Sequence, residues 1–329
     1  MKHFLIFLCC LSAMQLSCEG PLNADEPGLL VPKTVDQDAL LPSIKVNNTQ
    51  LHSEAFGDPS QPMLVVLHGG PGLDYRPLLN CKSFAAEGYY VVFYDQRGSG
   101  LSRRESKSTY TTGIMLDDLD AVISYYRSSS NQKIFLLGQS WGAILATAYI
   151  NQHPEAISGV VLAEPGGFIW NDIKDYMART RKYDLQSETL NDATYMDQFL
   201  TAKESEQEKL DYKFGLLASS DGAPDSPLGD EGKAPFWRMG ALVNQVMYDL
   251  GKSEQPDWTK NLSAFKTKVL FVYSEHNKAY GAAYAEHVSS AYPNVELKRI
   301  DATGHHLMTF PAGWSNFKPV ALEYLNELR

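Results

Sequence analysis

The sequence predicts a doubly wound, mostly parallel α/β sheet interrupted by an inserted helical cap. Three observations carry that prediction. Short apolar runs of strand length alternate with stretches of helical periodicity, the order that builds a parallel sheet covered on both faces. The alternation breaks once, over a polar segment from about Gly166 to Trp258. Two of the apolar runs end in glycine-rich turns, "GGPG" and "GQSWG".

The elements follow in order. "IKVNNTQLHSEAFG" reads as two strands about an Asn-Asn turn, a hairpin signal. "MLVVLH" is a short buried strand that runs into "GGPG", and "YYVVFYD" is the next, running into "QRGSGLS". Leu116, Leu119, Val122, Ile123 and Tyr126 then recur at helical spacing. "KIFLLG" is a strand, "WGAILATAYINQ" a helix and "GVVLAEPGG" the end of another strand. After the polar interruption, "KVLFVYSE" and "VELKRI" are strands with a helix between them near Ala283 to Ala291. "WSNFKPVALEYLNELR" closes the chain as a helix. The interruption contains helix-like patches broken at "SSDGAPDSPLGDEGKAP", which reads as a loop within the cap.

Composition sets limits. The 329 residues are 44% hydrophobic and 21% charged, an ordinary globular balance of a size for one large α/β domain with an insertion. A net charge of -10 without a basic cluster argues against nucleic acid as a partner. The first residues, "MKHFLIFLCCLSAMQLSC", show one lysine, an apolar run and small residues, as in a secretory signal, and the run is too short for a permanent membrane helix. Cys18 follows "QLS", which resembles the lipobox of bacterial lipoproteins, although Gln15 stands where leucine is usual and Leu16 comes one place late. The expectation is an exported chain anchored by lipid at Cys18 in a bacterial cell envelope, a secreted or periplasmic form being the alternative. Cys9 and Cys10 lie in the signal, so Cys81 is left without a partner and no disulfide is expected. No metal-ligand spacing occurs and no cofactor is expected. The boundaries read as signal 1–17, flexible tether 18–42, core 43–165, cap 166–258 and core 259–329.

The chemistry concentrates at three places. "GQSWG", Gly138 to Gly142, is G-x-S-x-G between a strand and a helix, the context of a nucleophile elbow that exposes Ser140. "HGGPG", His68 to Gly72, follows an earlier strand, as an oxyanion loop does; the N–H groups of Gly70 and Trp141 are the expected donors. "IDATGHHLM" supplies a base after the last strand, His305 first and His306 as competitor. The remaining histidines, His52 and His68 among them, read as surface, loop or turn residues.

Together with "YDQRGSGLS", these segments resemble the α/β-hydrolase superfamily and, more narrowly, the proline iminopeptidase family, which carries HGGPG, D-x-R-G-x-G-x-S and G-x-S-W-G in this order. The resemblance covers about Ser43 to Leu162 and Lys268 to the end. It implies a serine hydrolase with an acyl-enzyme, structural roles for Asp95 and Arg97, and removal of N-terminal proline-type residues from short peptides. A carboxylester hydrolase and a non-catalytic binding protein on the same fold are the alternatives. Epoxide hydrolases and dehalogenases use Asp as nucleophile, and this elbow carries Ser140.

Two departures stand out. The family places its acid as G-x-x-D after the penultimate strand; here "VYSEHNKAYG" has Ser274 and Asn277 at those places. Glu164, in "VVLAEPGG", stands at a strand end where certain haloalkane dehalogenases carry a Glu, and it is the expected acid, with Glu275 and Asn277 as alternatives. The family also recognises the substrate amine with cap glutamates, one in a W-E pair. "PFWRMGA" has the tryptophan without the Glu, leaving Asp230, Glu231 and Glu204 as candidates.

Overall fold

The computed structural model describes residues 30–180, 205–218 and 226–329. The signal, Cys18 and Glu204 lie outside these residues. Eight strands form one sheet: β1 (Ser43–Val46), β2 (Thr49–Phe56), β3 (Met63–Leu67), β4 (Tyr90–Tyr94), β5 (Ile134–Gln139), β6 (Gly159–Ala163), β7 (Val269–Ser274) and β8 (Val295–Ile300). Their spatial order is β1-β2-β4-β3-β5-β6-β7-β8. β2 runs antiparallel to β1 and β4, and every other neighbouring pair is parallel. The β1–β2 hairpin turns at Asn47 and Asn48, both at positive φ (45° and 60°), which asparagine tolerates better than most residues.

Each central strand is buried on both sides, so its residues divide by parity between two cores. Met63, Val65 and Leu67 of β3 face one; Leu64 and Val66 face the other. Helices α1 (Thr112–Tyr126), α2 (Trp141–Gln152) and a later helix, Gly281–Ser289, cover the first face through Leu119, Ala146 and Val288. The 3-10 segment Arg76–Glu87 and the closing helix Pro311–Leu328 cover the second through Phe84 and Phe317. Between β6 and β7 the described residues form α3 (Trp170–Thr180), α4 (Glu206–Ala218) and α5 (Ala241–Glu254). The Gly281–Ser289 and Pro311–Leu328 helices are then α6 and α7. Among the described residues no helix is long and apolar enough to cross a membrane. Cys81 is a buried free thiol, pushed up by burial.

Part of the expected tether is docked. Val35 is buried, its N–H donates to Leu101 O at 2.9 Å, and Arg238 Nη1 donates to Pro32 O at 2.8 Å. Composition alone marked this stretch as flexible; one buried apolar side chain and hydrogen bonds to its backbone, among them Gln50 Nε2 to Val35 O at 3.2 Å, hold it on the core.

The topology decides where chemistry can sit. His68 follows β3, Ser140 follows β5, Glu164 follows β6, Asn277 lies just past β7 and His305 just past β8. All five lie beyond the carboxyl ends of parallel strands, where open α/β sheets bind ligands.

Candidate active site

The chain turns from β5 into α2 within one residue. Ser140 adopts φ 54° and ψ -119°, a strained conformation for a residue with a Cβ, and its N–H donates to Ala163 O at 2.8 Å. The flanking glycines are required by contact. A Cβ on Gly138 would lie 2.4 Å from Gly142 O, and one on Gly142 would lie 2.1 Å from Leu67 O. Both obstacles are backbone atoms, so neither strand nor helix can step aside without breaking the sheet. Gly142→Ala is therefore expected to destabilise the fold by more than about 3 kcal/mol, read as a lowered midpoint in urea unfolding; a loss under about 1 kcal/mol would show that the elbow yields.

The loop after β3 brings Gly69 and Gly70 into the cavity that Ser140 and Trp141 also line. Gly70 and Gly72 take φ 125° and 95°. His68 holds this loop from below and is fully buried, not a surface or turn residue. Gln96 N–H donates to His68 Nε2 at 2.9 Å, so the ring proton is on Nδ1, which donates to Gly69 O at 2.8 Å. Burial lowers the imidazole's basicity further, keeping it neutral. Gln96 also ties the start of this loop to the Trp141 side chain: Nε2 donates to His68 O at 3.0 Å, and Oε1 accepts from Trp141 Nε1 at 2.8 Å. The Trp141 N–H opens α2, where no helical carbonyl lies four residues back to receive it.

Behind the loop, Asp95 accepts from Tyr75 N–H at 3.0 Å and Leu101 N–H at 2.8 Å, and pairs with His52 Nδ1 at 2.8 Å. His52 is buried too, a second correction to the histidine reading. Arg97 makes a two-pronged pair with buried Asp118, at 2.8 and 2.7 Å. Neither Asp95 nor Arg97 is among the residues that line the cavity.

His305 is fixed on three sides. Its N–H donates to Leu228 O at 2.9 Å, its carbonyl accepts from Gln139 Nε2 at 2.6 Å, and its Nδ1 meets Glu164 Oε2 at 2.7 Å. Glu164 is completely buried and held at φ 45°. Its Oε1 accepts from Ser274 N–H at 2.7 Å and Ser274 Oγ at 2.6 Å; its Oε2 also accepts from Asn277 Nδ2 at 2.8 Å. Four donors thus meet one carboxylate, the condition under which a buried anion persists. Tyr176, from α3, completes the cluster: its hydroxyl accepts from Asn277 Nδ2 at 3.2 Å and lies 3.3 Å from His305 Nδ1. Burial first, then the Glu164 charge, push that phenol well above its ordinary value, so it stays a neutral hydroxyl.

The structure thus brings Ser140, His305 and Glu164 to one place, with Gly70 and Trp141 beside Ser140. It puts the two alternative acids elsewhere. Glu275 is about a third exposed, accepts from Ala302 N–H at 2.9 Å and lies 3.7 Å from Arg299 Nη2. Asn277 acts on Glu164 and not on the imidazole, because Ala279 N–H donates to its Oδ1 and turns Nδ2 toward the carboxylate. Of the amine-binding candidates, Asp230 is engaged by His306, at 2.8 Å from Nδ1, and Glu231 is exposed.

Gln96, Gln139 and Tyr176 were not singled out by sequence, and Ser274 only as the residue standing where the family has a glycine. The first two lie inside motifs, one residue past Asp95 and one before Ser140, and their position next to functional residues was the available signal. Tyr176 gives no such signal: its place depends on how α3 packs. The insert also closes on the oxyanion loop, with Gly240 N–H donating to Gly72 O at 2.6 Å and Asn244 Nδ2 to Pro71 O at 2.7 Å. The resulting cavity measures about 650 Å³ and is lined largely by apolar groups, including Ile144, Trp170, Met177, Phe214, Met247 and Trp258.

Residues 62–311 match the family described as alpha/beta hydrolase fold. A proline iminopeptidase of Thermoplasma volcanium is 34% identical over 100 residues, covering 30% of this chain and 33% of that protein. The chain spans about a third of the length of the curated relatives it matches first. Among solved structures, a proline iminopeptidase of Mycobacterium smegmatis superposes with a TM-score of 0.57 at 17% identity, over 87% of this chain and 98% of that one. An esterase of Exiguobacterium antarcticum does so with a TM-score of 0.57 at 19% identity, over 87% and 99%. These two likenesses concern the fold.

Proposed function

The chain belongs to the alpha/beta hydrolase fold family, and on that premise we propose that it is a serine hydrolase working through an acyl-enzyme. The observation that carries the proposal is the 2.7 Å contact between buried Glu164 and Nδ1 of His305, which lines the same cavity as Ser140 at its strained turn.

The chemistry follows from the geometry. Ser140 Oγ attacks an acyl carbon while its proton passes to His305 Nε2, the ring nitrogen not facing the carboxylate. Glu164 holds the Nδ1 proton and stabilises the imidazolium that forms. The carbonyl oxygen becomes an oxyanion received by the Gly70 and Trp141 N–H groups. The bond to the leaving group breaks as His305 returns the proton to it, and water repeats the sequence to release the acid. The insert, bonded to the oxyanion loop, encloses the reaction and keeps its dielectric low.

Two substrate readings have support. The relatives named proline iminopeptidases favour release of N-terminal proline-type residues from short peptides. The cavity favours a carboxylester. Its carboxylates among the described residues are Asp74, whose oxygens accept three backbone N–H groups, and exposed Glu254. Neither offers a free amine a buried, unengaged anion. Assay of the purified protein with proline p-nitroanilide and p-nitrophenyl butyrate separates the two. The ester is expected to be cleaved, with a fluorophosphonate blocking turnover by attachment at Ser140. Cleavage of the anilide at comparable kcat/KM would establish the peptidase reading, and silence on both without labelling would leave a binding protein.

A further inference from the structure

The cavity holds a second histidine–carboxylate pair that this mechanism does not use. His306 lines the same cavity as Ser140, and its ring stands 5.5 Å from that of His305 at 75°. Asp230, from the insert, grips it twice: Oδ2 lies 2.8 Å from Nδ1, and Oδ1 accepts the His306 backbone N–H at 2.6 Å. The Asp230 side chain is 2% exposed and that of His306 14%. Two contacts to one carboxylate fix the backbone and the ring plane together.

Asp230 also settles which nitrogen carries the proton. Burial pushes its carboxyl up, but the hydrogen bonds from the His306 ring and backbone N–H draw it back down, below the ordinary carboxylate range. An ionised carboxylate only accepts, so the shared proton belongs to His306 Nδ1. In the neutral ring Nε2 is then a hydrogen-bond acceptor. The segment before Asp230 is pressed against the histidine loop. A Cβ on Gly229 would lie 2.1 Å from His276 O, and one on Gly304 would lie 2.3 Å from the Gly229 carbonyl carbon. Nothing in that contact lets the pair drift.

We propose that His306 is a specificity-determining residue of the acyl-transfer site, whose Nε2 accepts a hydrogen bond from an N–H or O–H in the leaving-group half of the substrate. The proposal rests on the serine hydrolase reading. His305 hands its proton to the leaving group, so the ring next to it in the chain, 5.5 Å away, flanks that half. The surrounding wall is apolar, with Phe236 edge-on to His306 at 6.2 Å. A fixed acceptor in such a wall discriminates, because a substrate that lacks the matching donor leaves it unpaired. The substrates so defined are esters of alcohols that keep a second hydroxyl, or amides whose leaving amine carries a further N–H.

The test uses propyl and 2-hydroxyethyl esters, which differ by a methyl against a hydroxyl, on butyryl and prolyl groups. Rates are taken per Ser140 titrated by fluorophosphonate, and the ratio of kcat/KM is read on the acyl group that is turned over. The wild-type protein is expected to favour the 2-hydroxyethyl ester about tenfold. His306→Phe and Asp230→Asn are expected to bring the ratio toward one, while His306→Gln, which keeps an acceptor, retains most of it. A wild-type ratio near one, or a ratio unmoved in His306→Phe, overturns the proposal. Labelling of Ser140 without turnover of any of the esters overturns it too. Failure to label Ser140 strikes the serine reading instead.

Discussion

Ser140→Ala is expected to lower kcat by at least about a thousandfold on any acyl substrate, with the folded state intact. The substitution removes one oxygen and keeps the Cβ, so the strained backbone at φ 54° meets the same steric conditions. The Ser140 N–H remains bonded to Ala163 O, and both flanking glycines keep their clearances. Urea unfolding should therefore shift by less than about 1 kcal/mol. What is lost is the nucleophile. Without Oγ, the base has no proton to take and the oxyanion donors have no tetrahedral centre to stabilise. Water held between His305 and the Gly70 and Trp141 N–H groups can sustain only the residual rate that binding and oxyanion stabilisation give alone. Full turnover in the variant would remove the acyl-enzyme from the proposal and require another attacking group. Loss of activity together with a large loss of stability would place Ser140 in the fold before the chemistry.

The parts of this molecule that were legible beforehand are those written in consecutive residues. The unbroken apolar run of Met63 to Leu67 marks a buried strand, and "GQSWG" between an apolar run and a helix marks the elbow. His305 was legible because the last parallel strand, β8, ends in sight of it. The oxyanion loop was legible as glycines, but not its support. His68 reads as a turn residue until Gln96 is seen to donate to it across 28 positions of sequence. The docking of Val35 was hidden for the opposite reason, since one apolar side chain cannot outweigh a polar composition in any window. The Asp230–His306 pair joins the insert to the histidine loop, and no local pattern encodes a contact between residues 76 positions apart. Glu164 lies between these extremes. A carboxylate after an apolar strand is conspicuous, but the reason it can be buried, two donors from Ser274 and one from Asn277, is visible only once β6 and β7 lie side by side.

That arrangement makes Glu164→Gln the sharpest test of the acid. Each orientation of the new amide sets a donor against a donor. With its NH2 at the place of Oε2, it faces Asn277 Nδ2, 2.8 Å away, and forces His305 Nδ1 to become an acceptor. The ring proton then moves to Nε2, and the base can no longer take the proton of Ser140. With its NH2 at the place of Oε1, it faces the Ser274 N–H, 2.7 Å away in a site without room for water to intervene between them. An Asp at position 277 would fail differently: a second carboxylate oxygen would stand 2.8 Å from Oε2, and one of the two groups would have to hold a proton. The amide of Asn277 is thus what allows the acid to stand after β6. Glu164→Gln is expected to lower kcat on the order of 10⁴-fold and to cost about 1–3 kcal/mol of stability through the unmatched donors. Glu275→Gln is expected to leave kcat within about twofold, since its carboxylate is part-exposed and serves Ala302 N–H at 2.9 Å. Steady-state kinetics on the ester, with urea unfolding of each variant, reads both. The opposite pattern, activity kept in Glu164→Gln and abolished in Glu275→Gln, would mean that His305 leaves Glu164 during turnover and that the acid acts from the loop after β7.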